Sequence, residues 1–260
     1  MKDCAGVGVI PFGCLEKHGR HLPLATDNLI AYGCCKKAAE LEKAVVLPTS
    51  PFGLCSEVRH TPGTVGLKAT TMMAILKDLC DEMARNGLKK IIIQNGHGGN
   101  TALCRFFMRT LLDERVGYSV YFMPMTWCDG QEIAFCRKFL GTDCLPECGH
   151  AGIQETSDIL YLRPDLVRMD RVDVSETHRL ERLKPLQDVR LETSVDWYAD
   201  YPAQIMGDPT RSTPEMGEWM MTAWANNLAR AIRLVKEDKM TPFLLDDYYS
   251  RSEMPRPYSS

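Results

Sequence analysis

The residues of this chain best suited to chemistry gather in three short blocks. The first reads Gly13-Cys14-Leu15-Glu16-Lys17-His18-Gly19-Arg20-His21 and runs on through Leu22-Pro23-Leu24 to Asp27. Glu16 and His18 stand two apart, so an extended segment points both side chains to one face. Asp27, at the start of the helical pattern that follows, can fold back beside them. Two carboxylates and an imidazole in one loop suit zinc, manganese or iron. Taken singly, each also fits a plainer role: a helix-capping Asp, an exposed Glu, an exposed His. The second block is Gln94-Asn95-Gly96-His97-Gly98-Gly99-Asn100. Glycines on both sides of His97 let the backbone turn sharply and bring the imidazole into the open. Its spacing matches neither GxGxxG nor the P-loop, which argues against a phosphate cradle. The third, Gly149-His150-Ala151-Gly152-Ile153-Gln154-Glu155-Thr156-Ser157, sets a His and a Glu five apart at a helix start. Alone, Glu155 reads as a first-turn residue favoured by the helix dipole and His150 as a loop residue.

The elements that must position these blocks alternate along the chain. Apolar, β-rich runs at residues 6–12, 44–47, 89–94 and 118–123 read as strands. Helical periodicity occupies residues 27–43 and 68–86, resumes after Asn100, and returns over 213–236, where Thr213 is a fitting N-cap and Pro214 a fitting first residue. Gly87 stands where a helix C-cap is wanted. Residues 170–202 are polar and loop-like. Strand and helix in alternation imply right-handed crossovers and an α/β fold of three layers, a central mostly parallel sheet flanked by helices. Ligands of such sheets bind beyond the carboxyl ends of the strands. His18, His21, His60, His97 and His150 all fall in or beside those loops, and only His178 lies elsewhere.

Length and composition set the limits. With 260 residues, 45% hydrophobic and 25% charged, the chain is expected to form one globular domain over residues 1–260. A formal net charge of −3 offers no basic surface for nucleic acid, so a small-molecule substrate is the expected partner. No apolar run approaches the roughly 20 residues that span a bilayer, and no signal-peptide pattern opens the chain, which points to the cytoplasm. Eleven cysteines with no CxxC pair read as buried, reduced thiols. Cys144 and Cys148, near His150, make a weak zinc signal.

Four blocks taken together, GCLEKHGRHLPLATD, the loop of residues 53–64 with HTPGT, QNGHGGN and HAGIQETS, with a weaker fifth at Gly207-Asp208-Pro209, give the chain a resemblance to the creatininase, or creatinine amidohydrolase, family. It extends from about residue 5 to about residue 235. The resemblance implies an α/β fold with a central parallel sheet and two divalent metal ions per chain, zinc, manganese or iron. It further implies hydrolysis of a C–N bond in a cyclic or formyl amide and a homo-oligomer, usually a hexamer. Carried over by position, Glu16 and His97 would be ligands of the first metal, His18 of the second, Asp27 the bridge between them and His150 the acid–base residue. Creatinine-hydrolysing members carry a Glu two residues after the histidine of the QNGHGGN block, where this chain has Gly99. The second metal then holds only His18 and Asp27 from this set, too few for a tightly bound ion, and Glu155 is the carboxylate expected to complete it. His60 and Trp127, each predicted just past a strand end, are expected to shape the substrate pocket.

The chemistry expected of such a site is attack by a bridging hydroxide on a polarised carbonyl, with His150 supplying a proton to the departing nitrogen. A ring-opening hydrolase of keto-cyclitols or sugars on the same fold is an alternative. So is a metal-binding protein without catalysis. An acid at His150 beside the metal ligands favours the enzyme, because a structural site needs none.

Overall fold

The structure is a computed structural model and describes residues 2–124, 130–143 and 149–254. Four strands, β1 (Val7–Phe12), β2 (Val45–Val46), β3 (Lys90–Asn95) and β4 (Ser119–Met123), form one sheet in the order β2-β1-β3-β4, parallel throughout. The register sets Gly8 beside Val45 and Ile91, and Ile91 beside Val120. Parallel neighbours need crossovers. α1 (Thr26–Leu41), α2 (Ala69–Arg85) and α3 (Asn100–Thr110) supply them between successive strands. Beyond β4 follow α4 (Gln131–Phe135), α5 (Ile153–Leu162), α6 (Lys184–Gln187), α7 (Asp196–Asp200), α8 (Pro214–Glu237) and α9 (Met240–Glu253).

Strand parity divides the core in two. Val7, Val9 and Ile92 face one side, packed with Ile30, Cys34, Ile159, Met220 and Leu228 of α1, α5 and α8. Ile10, Phe12, Ile91 and Ile93 face the other, against Met72, Leu76, Leu103 and Phe107 of α2 and α3. A sheet buried on both faces is why β1 and β3 read as continuous apolar runs. The three-layer α/β architecture expected from the sequence is therefore the one observed. β2 is shorter than its predicted run, since it pairs with β1 and is only partly buried. α9 has no counterpart in the sequence reading. Its Met240, Phe243 and Leu244 are exposed, and Tyr249, its buried residue, anchors it by donating to Leu111 O at 2.5 Å.

α8 begins as its sequence predicts, with Thr213 Oγ1 accepting from Met216 N at 3.2 Å and Pro214 in the first turn. It lies directly on α5 through Gly217, where a Cβ would stand 2.0 Å from Ser157 O. The described cysteines Cys4, Cys14, Cys34, Cys35, Cys55, Cys80 and Cys104 are buried free thiols, in keeping with the absence of a CxxC pair. Cys144 and Cys148 lie outside the described residues, as does Trp127. Among the described residues no helix is long and apolar enough to cross a membrane.

Candidate metal centre

The loops at the carboxyl ends of β1 and β3, the segment after β2 and the start of α5 meet above one edge of the sheet. Two buried asparagines tie the first three together. Asn100 Nδ2 donates to Gly13 O at 3.0 Å while its Oδ1 accepts from Leu54 N at 2.9 Å, and Asn28 Nδ2 donates to Cys14 O at 2.7 Å. Asn95 brackets His97, donating to its carbonyl at 2.6 Å and accepting from its N–H at 3.2 Å. Glu16, His18, Asp27, His97 and Glu155 are thereby all buried.

Their atoms converge. Asp27 Oδ1 lies 3.0 Å from His18 Nε2 and Asp27 Oδ2 3.1 Å from His97 Nδ1. Glu16 Oε1 is 3.0 Å from His97 Nδ1 and 3.5 Å from His150 Nδ1. Glu155 Oε2 is 3.3 Å from His18 Nε2 and accepts from Ala151 N at 2.6 Å. Ala151 holds a left-handed backbone, φ 54°, which aims that N–H. These five residues, His150 and Cys14 form three overlapping groups able to hold a cation: Cys14, Glu16, Asp27 and His97; Glu16, His18 and His150; and His18, Asp27 and Glu155.

Two observations test whether these residues fit a metal. Each imidazole turns its outer N–H to a backbone carbonyl, His18 Nδ1 to Glu16 O at 3.2 Å, His97 Nε2 to Leu54 O at 2.9 Å and His150 Nε2 to Lys17 O at 2.8 Å. That leaves the inner nitrogen of each facing the carboxylates, the pattern that fixes metal-ligating histidines. Moreover, both Glu16 oxygens and Asp27 Oδ2 are buried without a hydrogen-bond partner. Buried anionic oxygens left so are costly unless a cation compensates them. Ligands about 2.0–2.2 Å from one ion stand roughly 3.0–3.5 Å apart, and the distances above match. The residues fit.

The electrostatics follow from the same crowding. Burial opposes a charge on His18, but Asp27, Glu155 and Glu16 outweigh it and push the imidazole up to about 10. His97 is likewise raised well above its ordinary value, burial being overcome by Glu16 and Asp27. Glu155 is pushed up to about 7 by burial. His150 moves the other way, down to about 4, through burial and the neighbouring His18, whose ring stacks on it at 4.1 Å. Without metal, the raised His18 and His97 hold protons on the nitrogens that a cation would take. A cation must displace them, so uptake is expected to release protons and to tighten as pH rises from about 6 to 8. Calorimetry in buffers of different ionisation enthalpy measures this, and zero net proton release at neutral pH would sink it.

The centre forms the floor of a cavity of about 570 Å³, within the range of small-molecule sites. Trp197, Trp224, Met206 and Pro124 line it with Arg105, Gln154 and Glu57. Trp197 stands edge-on to His150, ring centroids 5.4 Å apart, and its Nε1 donates to Gln204 Oε1 at 2.7 Å. Trp197 and Glu57 were not legible as site residues. Trp197 sits on α7 within the polar stretch, where its aromatic character was the available signal. Glu57 follows β2 within the loop of residues 53–64, where the sequence singles out neighbouring His60, and its Oε1 would be 2.6 Å from a Cβ at position 99. The carboxylate nearest to Gly99 is thus Glu57, while Glu155 stands at His18. Position 99 admits no side chain, since that Cβ would also lie 2.5 Å from His97 Nε2 and 2.6 Å from Leu54 O.

His60 lies outside this lining. It is exposed, its Nε2 donating to Pro202 O at 3.1 Å and its ring edge-on to Tyr198. His21 is buried, its Nε2 2.9 Å from Thr156 Oγ1, and joins the first loop to α5. Burial pushes it down to about 4.

Comparison with known proteins agrees with this geometry. The family model for creatininase, described as creatinine amidohydrolase, matches residues 2–232. A creatinine amidohydrolase of Pseudomonas putida is 32% identical over 184 residues, which cover 65% of this chain and 68% of that protein. A mycofactocin precursor peptide peptidase of Mycolicibacterium smegmatis is 28% identical over 237 residues, covering 89% and 86%. Among solved structures, a creatininase mutant described as Zn-Zn type matches with a TM-score of 0.73 at 28% identity, over 89% of this chain and 90% of that one.

Proposed function

The chain belongs to the creatininase family, and from that premise we propose that it is a metal-dependent hydrolase cleaving the C–N bond of a cyclic amide or a formamide, with the whole chain serving as one catalytic domain. The observation that carries the reading is the divided Asp27 carboxylate, one oxygen facing His18 and the other His97. That is the disposition of a carboxylate shared by two cations. Glu16 and His97 would hold one with Asp27, and His18 and Glu155 the other. When bound, two such ions would supply an activated water and polarise the scissile carbonyl.

The remaining steps fall to the chain's own groups. His150 is held neutral by burial, so it must accept a proton before it can donate one. Its Nε2 is tied to Lys17 O, which leaves Nδ1, facing Glu16, as the exchanging atom. His150 Nδ1 takes the proton from the attacking water and returns it to the departing nitrogen. Trp197, set edge-on to His150, and Trp224 exclude water and give a flat ring a surface to lie on. We extend the reading to a cytoplasmic homo-oligomer, a hexamer; the exposed apolar residues of α9 offer surface for assembly.

Turnover of creatinine, small lactams, N-formyl amines and short peptides in the presence of zinc or manganese tests the proposal. Hydrolysis of a ring or formyl amide supports it. Cleavage of peptides alone would overturn the substrate class, and metal binding without turnover of any of them would favour the non-catalytic alternative. Glu155 separates the two ions. Already raised to about 7, it loses little by becoming neutral, and a Gln can still accept from Ala151 N. Glu155→Gln is therefore expected to leave stability within about 1 kcal/mol and the first ion bound, while weakening the second roughly 10- to 100-fold. Metal analysis at graded free-metal concentration checks this; equal retention of both ions with full turnover contradicts it.

A further inference from the structure

Cys14 stands two residues before Glu16 and four before His18, so the parity that aligns those two along an extended segment aligns Cys14 with them. It is fully buried. Its sulfur shares a group with the ligand atoms of Glu16, Asp27 and His97, all within 4.8 Å of one another. A thiolate sulfur at ~2.3 Å and an oxygen or nitrogen at ~2.0–2.2 Å from one tetrahedral ion stand roughly 3.5 Å apart, so the sulfur must draw in toward the other ligand atoms as the ion binds. The unpartnered oxygens of Glu16 and Asp27 open onto the same space, which independently marks it as a cation position.

We infer that Cys14 is a fourth protein ligand of the first metal site, joining Glu16, Asp27 and His97 in a thiolate-bearing set that favours zinc over manganese. The inference rests on the metal-centre reading above. On binding, the Cys14 S–H proton passes to solvent as the sulfur–metal bond forms, with no change of oxidation state. A soft thiolate discriminates against manganese, which prefers oxygen ligands. Cys55, also fully buried, lies within hydrogen-bonding reach of Cys14. It does not share the group of converging ligand atoms; its own S–H is turned to Leu15 O at 4.0 Å and its sulfur accepts from the Cys14 S–H, a contact given up when the Cys14 proton leaves.

Cobalt(II) loaded into the metal-free protein reads this directly. A near-ultraviolet sulfur-to-cobalt charge-transfer band is expected beside the visible d–d bands. Cys14→Ser is expected to remove the first and keep the second, and Cys55→Ser to keep both. In zinc-against-manganese competition, Cys14→Ser is expected to lower the preference for zinc about tenfold or more, since even an outer-shell partner is worth about 10- to 100-fold in affinity. Visible d–d bands without a charge-transfer band in the unmodified protein would overturn the thiolate ligand while leaving the metal centre standing. No cobalt spectrum at all would overturn both. A band lost in Cys55→Ser but kept in Cys14→Ser would move the ligand to Cys55. Should Cys14→Ser fail to fold, the unmodified protein and Cys55→Ser still decide the matter.

Discussion

Asp27→Asn is expected to lose most of its bound metal and about a thousandfold or more in turnover, on the order of 4 kcal/mol of transition-state stabilisation. The magnitude follows from one carboxylate serving two positions. Its oxygens stand 3.0 Å from His18 Nε2 and 3.1 Å from His97 Nδ1, and an amide offers one neutral oxygen and a donor NH2 in their place. The donor end would face an imidazole nitrogen or a cation that needs an acceptor. Both ions are therefore expected to leave together. Asn is close in size to Asp, so the fold should persist, as circular dichroism would show. Metal analysis that found both ions at full occupancy in a folded Asp27→Asn protein would refute the shared role.

Gly217→Val is expected to cost about 3 kcal/mol or more of stability, at the upper end of overpacking effects, and to lower the melting temperature by roughly 6–12 °C for a chain of this size. A Cβ there would meet Ser157 O at 2.0 Å and Ser157 C at 2.5 Å. Those are backbone atoms of α5 and cannot rotate aside, so α8 must lift from α5. Ser157 Oγ also donates to Ile153 O at 2.6 Å and accepts from Thr213 N at 3.2 Å, so the start of α8 is bound to the same residue. α5 carries Glu155 in its first turn, and its displacement should loosen metal at the second site as well. Gly117→Ala makes the control. A Cβ at that position meets nothing within 4 Å, and a near-neutral change is expected. Melting of Gly217→Val within a degree or two of the parent would show that the helices can separate at little cost.

Much of the scaffold was legible because its signals are local. β1 and β3 are runs of apolar residues long enough to be buried on both faces, and α8 announces itself with Thr213 and Pro214. α9 was not, since Met240, Phe243 and Leu244 form no stripe that the sheet buries, and its anchor, Tyr249 on Leu111 O, joins residues far apart in the chain. The same distinction runs through the site. Glu16, His18, Asp27, His97 and Glu155 were legible as candidates, and the structure gathers them. His60 follows β2, as Glu57 does, yet His60 turns to Pro202 O while Glu57 enters the cavity. Nothing in their order along the chain separates the two.

What the sequence determined by itself is the kind of chemistry and the layer that presents it. Residue type sets ligand capacity, and period-2 parity in an extended loop puts Glu16 and His18 on one face whatever the rest of the chain does. Tertiary structure decided which Asp27 oxygen meets which imidazole, that burial pushes His150 down while carboxylates push His18 up, and that Trp197 reaches the cavity from a polar stretch. Those outcomes depend on how two cores on opposite faces of one sheet pull separate loops together and exclude water from between them. Desolvation and Coulomb interaction act through space at a few ångströms, so partners distant in the chain set the charge of each group.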